Sequence, residues 1–493
     1  MKKYYIIASV AFCALFLASC GKKDYASVIP ADATFVASIN LDEMATQADL
    51  KNSSVVNFMK GYVSLVASGD EKELVNAAID DPSLMGIDFT APAYVFETID
   101  HSWGLVLKVD DSDHLDETFK ILAKQQIATT PKEKEGLMWT SLLGDVNVAY
   151  DSHQLLILMP QPAQSTPARI KKQMTTLFTQ DEDLTFAATD KMQRLEEQDA
   201  PIAVYTRMAA LPADMAQTFS TMLPQGVRSA NVDVSLSVEF KNGEAVLRSK
   251  MYSDNERVLK LFDEADEHMH KIQGEFMGAA SEGFFAWMSV GCEGEWLLNL
   301  LKQNEQAKQA LFMLERGIDI EKMLRSIDGD LTLVLPQEPL VDGVAKTDFI
   351  ALAQIDNSDF MSEVPSWSKT ARDYGITLTP SGQNQYVMKA QDMEVQWGVD
   401  GKTMFFTTPS ASLQKAFAKP DNALATYKDE ITDSQFFAYI NLQGFSNLSQ
   451  TPIKAIVIKS EETGEVELRL VGKDSERSIL SQALDMLSGL SLF

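Results

Sequence analysis

Cys292 is the chain's one thiol beyond residue 20, and to act as a nucleophile it would need a base or a positive neighbour to ionise it. The five histidines are His101, His114, His153, His268 and His270, so none follows Cys292. A buried structural thiol is the favoured reading. Asp266, His268 and His270 invite a metal reading. On a helix, however, residues two apart point about 200° apart, so His268 and His270 cannot grip one ion together. Glu264 and His268 share a face but supply only two ligands; a solvated, charged helix accounts for them, and no metal is expected. Asp110, Asp111 and Asp113, echoed later by Asp356 and Asp359, could cradle calcium through hard oxygens. At a strand-to-helix junction the same acids satisfy free amides and face the positive end of the helix dipole, and capping is the favoured reading.

No glycine loop for phosphates, GxSxG elbow, HExxH pair or EF-hand loop occurs. No cofactor is expected. With 70 acidic residues a carboxylate pair can always be found, so the sequence lends a hydrolase no specific support, and enzymatic activity stays open with a lean against it. The apolar insert RMAALPADMAQTFSTMLPQGV is the best ligand candidate. Met215, Phe219 and Met222 fall on one helical face, with Met208 and Leu211 just before them. Flexible methionines suit adaptable binding surfaces and also fill cores. Core packing is the favoured reading; if exposed, Met208, Met215, Phe219 and Met222 would form the binding surface.

Cys20 carries the strongest chemical signal. Lys2 and Lys3 precede the apolar run YYIIASVAFCALFLAS, which ends in Leu17-Ala18-Ser19-Cys20. These four residues resemble a bacterial lipobox. The resemblance implies that a diacylglycerol is joined to the Cys20 thiol, that the chain is cut before it, and that the new amine is acylated. The alternative is a retained helix, but Tyr4–Gly21 is 18 residues long, at the short edge for a bilayer. Stable anchoring takes two membrane signals, which multiple acyl chains provide. Removing Met1–Ser19 deletes two lysines and no acids, taking the formal charge from −27 to −29. Such a charge repels nucleic acid and anionic lipid surfaces, so neither is expected as a partner. With one thiol left, no intramolecular disulfide can form, and stability must come from an ordinary core.

The elements behind these residues read as repeated. FVASIN, FFAWMS and FFAYIN start at Phe35, Phe284 and Phe436, and PIAVYT at Pro201 is a weaker fourth. Each has alanine third and ends on a residue able to cap a helix, Asn40, Ser289, Asn441 or Thr206. GEAVLRSKMYSDNERVL from Gly243 resembles GEVELRLVGKDSERSIL from Gly464. VAYDSHQLLILMP and WGVDGKTMFFTTP both look like hairpins. Val258, Phe262, Ala265 and Met269 have helical spacing, as do Ile479, Ala483 and Leu487. The expected fold is α+β: two tandem copies of one unit, mainly antiparallel sheets with helices packed on them. The expected divisions are a signal peptide over 1–19, a lipidated tether over 20–27, and repeats over 28–273 and 284–493, with GEFMGAASEG as the joint.

The lipobox, the mature opening Ile29-Pro30-Ala31-Asp32-Ala33 before a strand ending in Ile39-Asn40, and the recurring segments are together similar to an uncharacterised cell-envelope lipoprotein family of Bacteroidetes, known as a domain of unknown function. The resemblance implies a lipid-anchored envelope protein and carries over no catalytic residue. Lys22 and Lys23 stand where export to the outer surface often places acids, which favours a periplasm-facing position on the outer membrane. The expected function is binding or scaffolding of an unidentified protein or ligand. An envelope hydrolase and an accessory protein of glycan uptake are the alternatives.

Overall fold

The computed structural model describes residues 24–50, 56, 60, 64, 70–144, 146–159, 166–211, 227–315, 317–337, 340–341, 344–345, 348–390, 393–408, 421–443, 451–461 and 464–490. Among these, 21 strands lie in antiparallel sheet and two more form a hairpin. Twelve α-helices, most of them short, accompany the strands. This corrects the expectation of an α+β fold in two tandem copies. The fold is mostly β and does not clearly show duplicated α+β halves. The physical reason lies in the helices: 13 residues is the longest run described, too little to form layers as continuous as the sheets. By compactness the chain divides into Met1–Tyr205 and Thr206–Phe493, and Gly274–Gly283 lies inside the second unit with Phe276, Met277, Ala279 and Ala280 buried.

The first unit is built on β1 (Phe35–Ile39), β2 (Ala93–Glu97), β3 (Trp103–Lys108), β4 (Lys132–Lys134), β5 (Leu137–Leu142), β6 (Val146–Tyr150), β7 (Gln154–Met159) and β8 (Ile202–Arg207). Their spatial order is β8-β1-β2-β3-β7-β6-β5-β4. Strand alternation sorts the side chains into two faces. One face sends Val36, Phe96, Val106 and Leu156 into a core with Ile170, Met174 and Phe178 of helix α4 (Pro167–Thr179). The opposite face places Val148, Tyr150 and Leu155 against Leu115 and Phe119 of helix α3 (Ser112–Lys124). Helices α1 (Leu41–Gln47), α2 (Asp70–Asp80) and α5 (Asp190–Glu196) complete this unit. Asn40 caps α1, its Oδ1 accepting the Glu43 amide at 3.0 Å.

The second unit is built on β9 (Asp233–Lys241), β10 (Glu244–Tyr252), β11 (Met269–His270), β12 (Ala286–Glu293), β13 (Ile327–Leu335), the hairpin of β14 (Leu340–Val341) and β15 (Val344–Ala345), β16 (Ile350–Ile355), β17 (Ile376–Gly382), β18 (Gln385–Ala390), β19 (Met393–Asp400), β20 (Thr403–Thr407), β21 (Phe436–Asn441), β22 (Ile453–Ser460) and β23 (Glu465–Gly472). The main order is β9-β10-β23-β22-β21-β12-β13-β16-β20-β19-β18-β17, and β11 extends the pairing along β12. The two stretches with similar sequence near Gly243 and Gly464 are neighbours, since β10 and β23 pair antiparallel from Glu244↔Val471 to Lys250↔Glu465.

Candidate functional site

Cys292 sits on β12 and is fully buried. Burial pushes its thiol up to about 12, and the carboxylates of Asp330 and Glu293 push in the same direction. A thiol so placed stays protonated and is no nucleophile. Asp330 is itself buried. Its carboxylate accepts backbone N–H groups from Gln273 and Gly274, both at 2.8 Å. Burial nevertheless keeps its carboxyl above the usual range, against the pull of those amides.

The two histidines whose types invite a metal separate at the end of helix α6 (Glu256–His268). His268 closes the helix while His270 is already on β11. Each takes its own carboxylate, His268 Nδ1 lying 3.0 Å from Glu293 Oε2 and His270 Nε2 3.9 Å from Asp328 Oδ1. No group of three or more His, Cys, Asp or Glu able to hold a metal occurs among the described residues. Asp111 is a helix cap: Oδ1 accepts the amides of Asp113 and His114 at 2.9 and 3.0 Å, which together hold its carboxyl below the usual range.

Met208 is fully buried. It packs with Val232, Val234 and Val258, and its amide donates to the Val232 carbonyl at 2.8 Å. Met215, Phe219 and Met222, the rest of the expected binding set, lie outside the described residues, as does Cys20.

An apolar end of the first unit's sheet escaped sequence reading. Phe35, Glu97, Trp103 and Met159 are successive partners across β1, β2, β3 and β7. Direct cross-strand partners point to one face, so these four side chains form a single row. The rings of Phe35 and Trp103 meet across Glu97 with centroids 5.4 Å apart at an interplanar angle of 57°. Glu97 is buried. Its Oε2 accepts Thr34 Oγ1 at 2.8 Å, and His101 Nδ1 lies 2.8 Å from Oε1.

The turns at this end carry further apolar side chains. Ile99, in the β2–β3 turn, is 61% exposed and Leu143, after β5, is 79% exposed. Trp103, Met159 and Ile127 are also exposed. Leu143 reaches its position with φ +51°, and its amide donates to the Ile127 carbonyl at 2.8 Å. Single exposed apolar residues are ordinary, and these share one end of the sheet. Polar groups fix the turn beside it. Asp100 accepts Thr98 Oγ1 at 2.5 Å and Gln173 Nε2 at 3.1 Å. Burial would raise its carboxyl, but these bonds and those from Ser102 hold it below the usual range.

The far end of the same strands differs. Asp24 and Tyr25 lie there, Tyr25 Oη donating to the Pro92 carbonyl at 2.8 Å, just before β2 begins. Ser27 Oγ lies 3.4 Å from Gln154 Oε1, at the start of β7. Asp88, Asp110, Asp111 and Asp151 ring that end. Lys108 Nζ donates to Asp88 at 2.8 Å, the Asp110 amide donates to Gly86, and Asp151 turns β6 into β7.

A family model described as "Domain of unknown function (DUF4836)" matches residues 25–458. No curated protein matches the chain. Solved structures of TP0453 are distantly similar. Crystal form IV shares 10% identity over 50% of this chain and 88% of that one, with a TM-score of 0.28. Crystal form I shares 7% identity over 51% and 88%, with a TM-score of 0.27. Likeness at that level carries no argument about the site.

Proposed function

The chain belongs to the DUF4836 family, a family of unknown function, and from that premise we propose that it is a lipid-anchored protein of the cell envelope that binds or scaffolds a partner. The observation that carries this reading is the apolar end of the first unit, where Ile99, Trp103, Leu143 and Met159 stand exposed beside the Phe35–Trp103 ring pair. Exposed apolar groups sharing one end of a sheet are costly to leave in water unless something covers them. The anchor is the acylated Cys20 of the lipobox-like Leu17-Ala18-Ser19-Cys20. Lys22 and Lys23 favour a periplasm-facing position on the outer membrane, and the chain's charge of −27 disfavours nucleic acid as a partner.

A hydrolase gains nothing from Cys292, whose thiol is held protonated. Recognition of glycans would favour flat aromatic platforms, whereas Phe35 and Trp103 tilt against each other. Metabolic labelling with a fatty-acid probe tests the anchor, comparing the natural chain with Cys20→Ala. The natural chain takes the label and the variant does not; label retained by the variant refutes the anchor.

A further inference from the structure

Where β23, β22, β21 and β12 lie side by side, the second unit's sheet is sealed on one face and open on the other. On the sealed face Trp287, Phe437 and Val457 are buried in a cluster with Phe276 and Leu424. Direct cross-strand partners share a face, so the register gives the other. One row across it is Leu468–Ile458–Ala438–Met288, and the next is Leu470–Ile456–Ile440–Ala286. The two alanines are buried, but the six larger side chains are only half-buried. Val466, two residues before Leu468 and on the same face, is 40% exposed. Buried clusters close over the flanks of this floor. On the β10 side Leu236 and Met251 pack with Val258 and Phe262 of α6. On the β13 side Leu331 and Ala353 pack with Met323 of the helix Ile320–Arg325. Among the described residues, the six join neither cluster.

The floor's own chemistry selects what fits it. Its backbone amides are taken up by the ladder, and its two rows are aliphatic but for the Met288 thioether. Polarity enters at one end. Along β22 this face reads Lys454, Ile456, Ile458, Ser460. The ladder to β21 carries the alternation through Lys454, whose carbonyl accepts the Leu442 amide at 2.8 Å, although the pairing with β23 shifts there. Lys454 is half-buried and has no ion pair among the described residues. Asp474, just past this end of β23, turns its Oδ1 to the Glu476 amide at 3.0 Å. A lone ammonium at the end of an aliphatic floor matches an anion carried on a hydrocarbon. The steps from Lys454 to Ser460 rise about 20 Å, more than the roughly 15 Å that an acyl chain fills in one bilayer leaflet. A second copy of the chain laid on the floor would bury Lys454 against rows that carry no carboxylate.

We propose that the open face of β23, β22, β21 and β12 binds a long-chain fatty acid, its hydrocarbon along Ile456 and Ile458 and its carboxylate at Lys454. Burial of the chain against the floor supplies the affinity, and the ammonium sets which way round the ligand lies. The site depends on neither the anchor at Cys20 nor the apolar end of the first unit.

The test uses the full chain in phosphatidylcholine vesicles and palmitic acid bearing a photoreactive diazirine at mid-chain. After illumination, mass spectrometry of the digest is expected to place the label on peptides of β22 and β23, and excess unlabelled palmitate to remove it. Ile458→Asp sets a charge in the hydrocarbon's path and is expected to lower labelling by about tenfold or more. Lys454→Glu is expected to lower labelling by the acid several-fold and to leave labelling by the matching diazirine alcohol unchanged. Label confined to other strands, or equal labelling of Ile458→Asp, overturns the site. Equal loss of acid and alcohol in Lys454→Glu, or no loss of either, overturns the place given to the carboxylate. A natural chain that takes no label but forms a dimer abolished by Ile458→Asp overturns the fatty acid in favour of a second copy. Far-UV circular dichroism checks both variants, and Lys454→Glu with its two probes serves alone if Ile458→Asp disturbs folding.

Discussion

Asp88 gives the residue scale its clearest test. The Lys108 ammonium and the Thr90 hydroxyl hold its carboxyl down to about 2, against an ordinary 3.8. A folded-state value below the unfolded one means stability that is complete above pH 3.8 and drains as pH falls through about 2. Asp88→Asn is therefore expected to flatten acid denaturation between those values, read by circular dichroism against pH; an unchanged acid limb refutes it. Cys292 offers a second test: iodoacetamide is expected to leave it unmodified in the native chain at pH 8 and to modify it in denaturant, as measured by intact mass. Both a structural thiol at 292 and a capping role for Asp111 were legible, because each follows from residue type and local neighbours. Trp103 and its row were not. Alternation tells which strand residues share a face, but whether a helix covers that stretch of face depends on tertiary placement.

Among the elements, local turn chemistry was readable and element length was not. The hairpin turns at Asp151–His153 and at Gly401 join β6 to β7 and β19 to β20, where polar runs between alternating strands placed them. Asn40 caps α1 as expected of its type. Ser289 does not cap anything: β12 runs on to Glu293, and the Ser289 hydroxyl lies buried 2.8 Å from Thr332 Oγ1. Where the spacing predicts helix, His270 stands on β11, because Met269 adopts extended backbone with φ −94° and ψ 141°. Gly104 shows how tightly β2 and β3 are fitted. A Cβ there would meet the buried Phe96 ring at 2.2 Å. Gly104→Val is expected to destabilise the chain by about 1–3 kcal/mol, read as a lower denaturation midpoint; a midpoint unchanged within error would show that the ring can move aside.

Across the chain, recurrent segments do not make a duplicated fold, because similar strands need not imply duplicated α+β halves. The segments at Phe35, Pro201, Phe284 and Phe436 do lie on β1, β8, β12 and β21, yet sheet, with short helices, dominates the described residues. Each compact unit holds its own apolar clusters, around Phe96 and Phe119 in the first and around Trp287 and Trp397 in the second. Calorimetry is accordingly expected to resolve two unfolding transitions, and a single two-state transition would refute their independence. The β10–β23 ladder bears on when the molecule can finish folding. Arg248 finds Glu467, 219 residues further along, so β10, already paired with β9, waits for roughly 200 more residues to emerge before its second neighbour exists. A nascent chain shorter than that carries an unfilled strand edge, open to the wrong neighbour, and gains most from being kept unfolded until its last strand arrives.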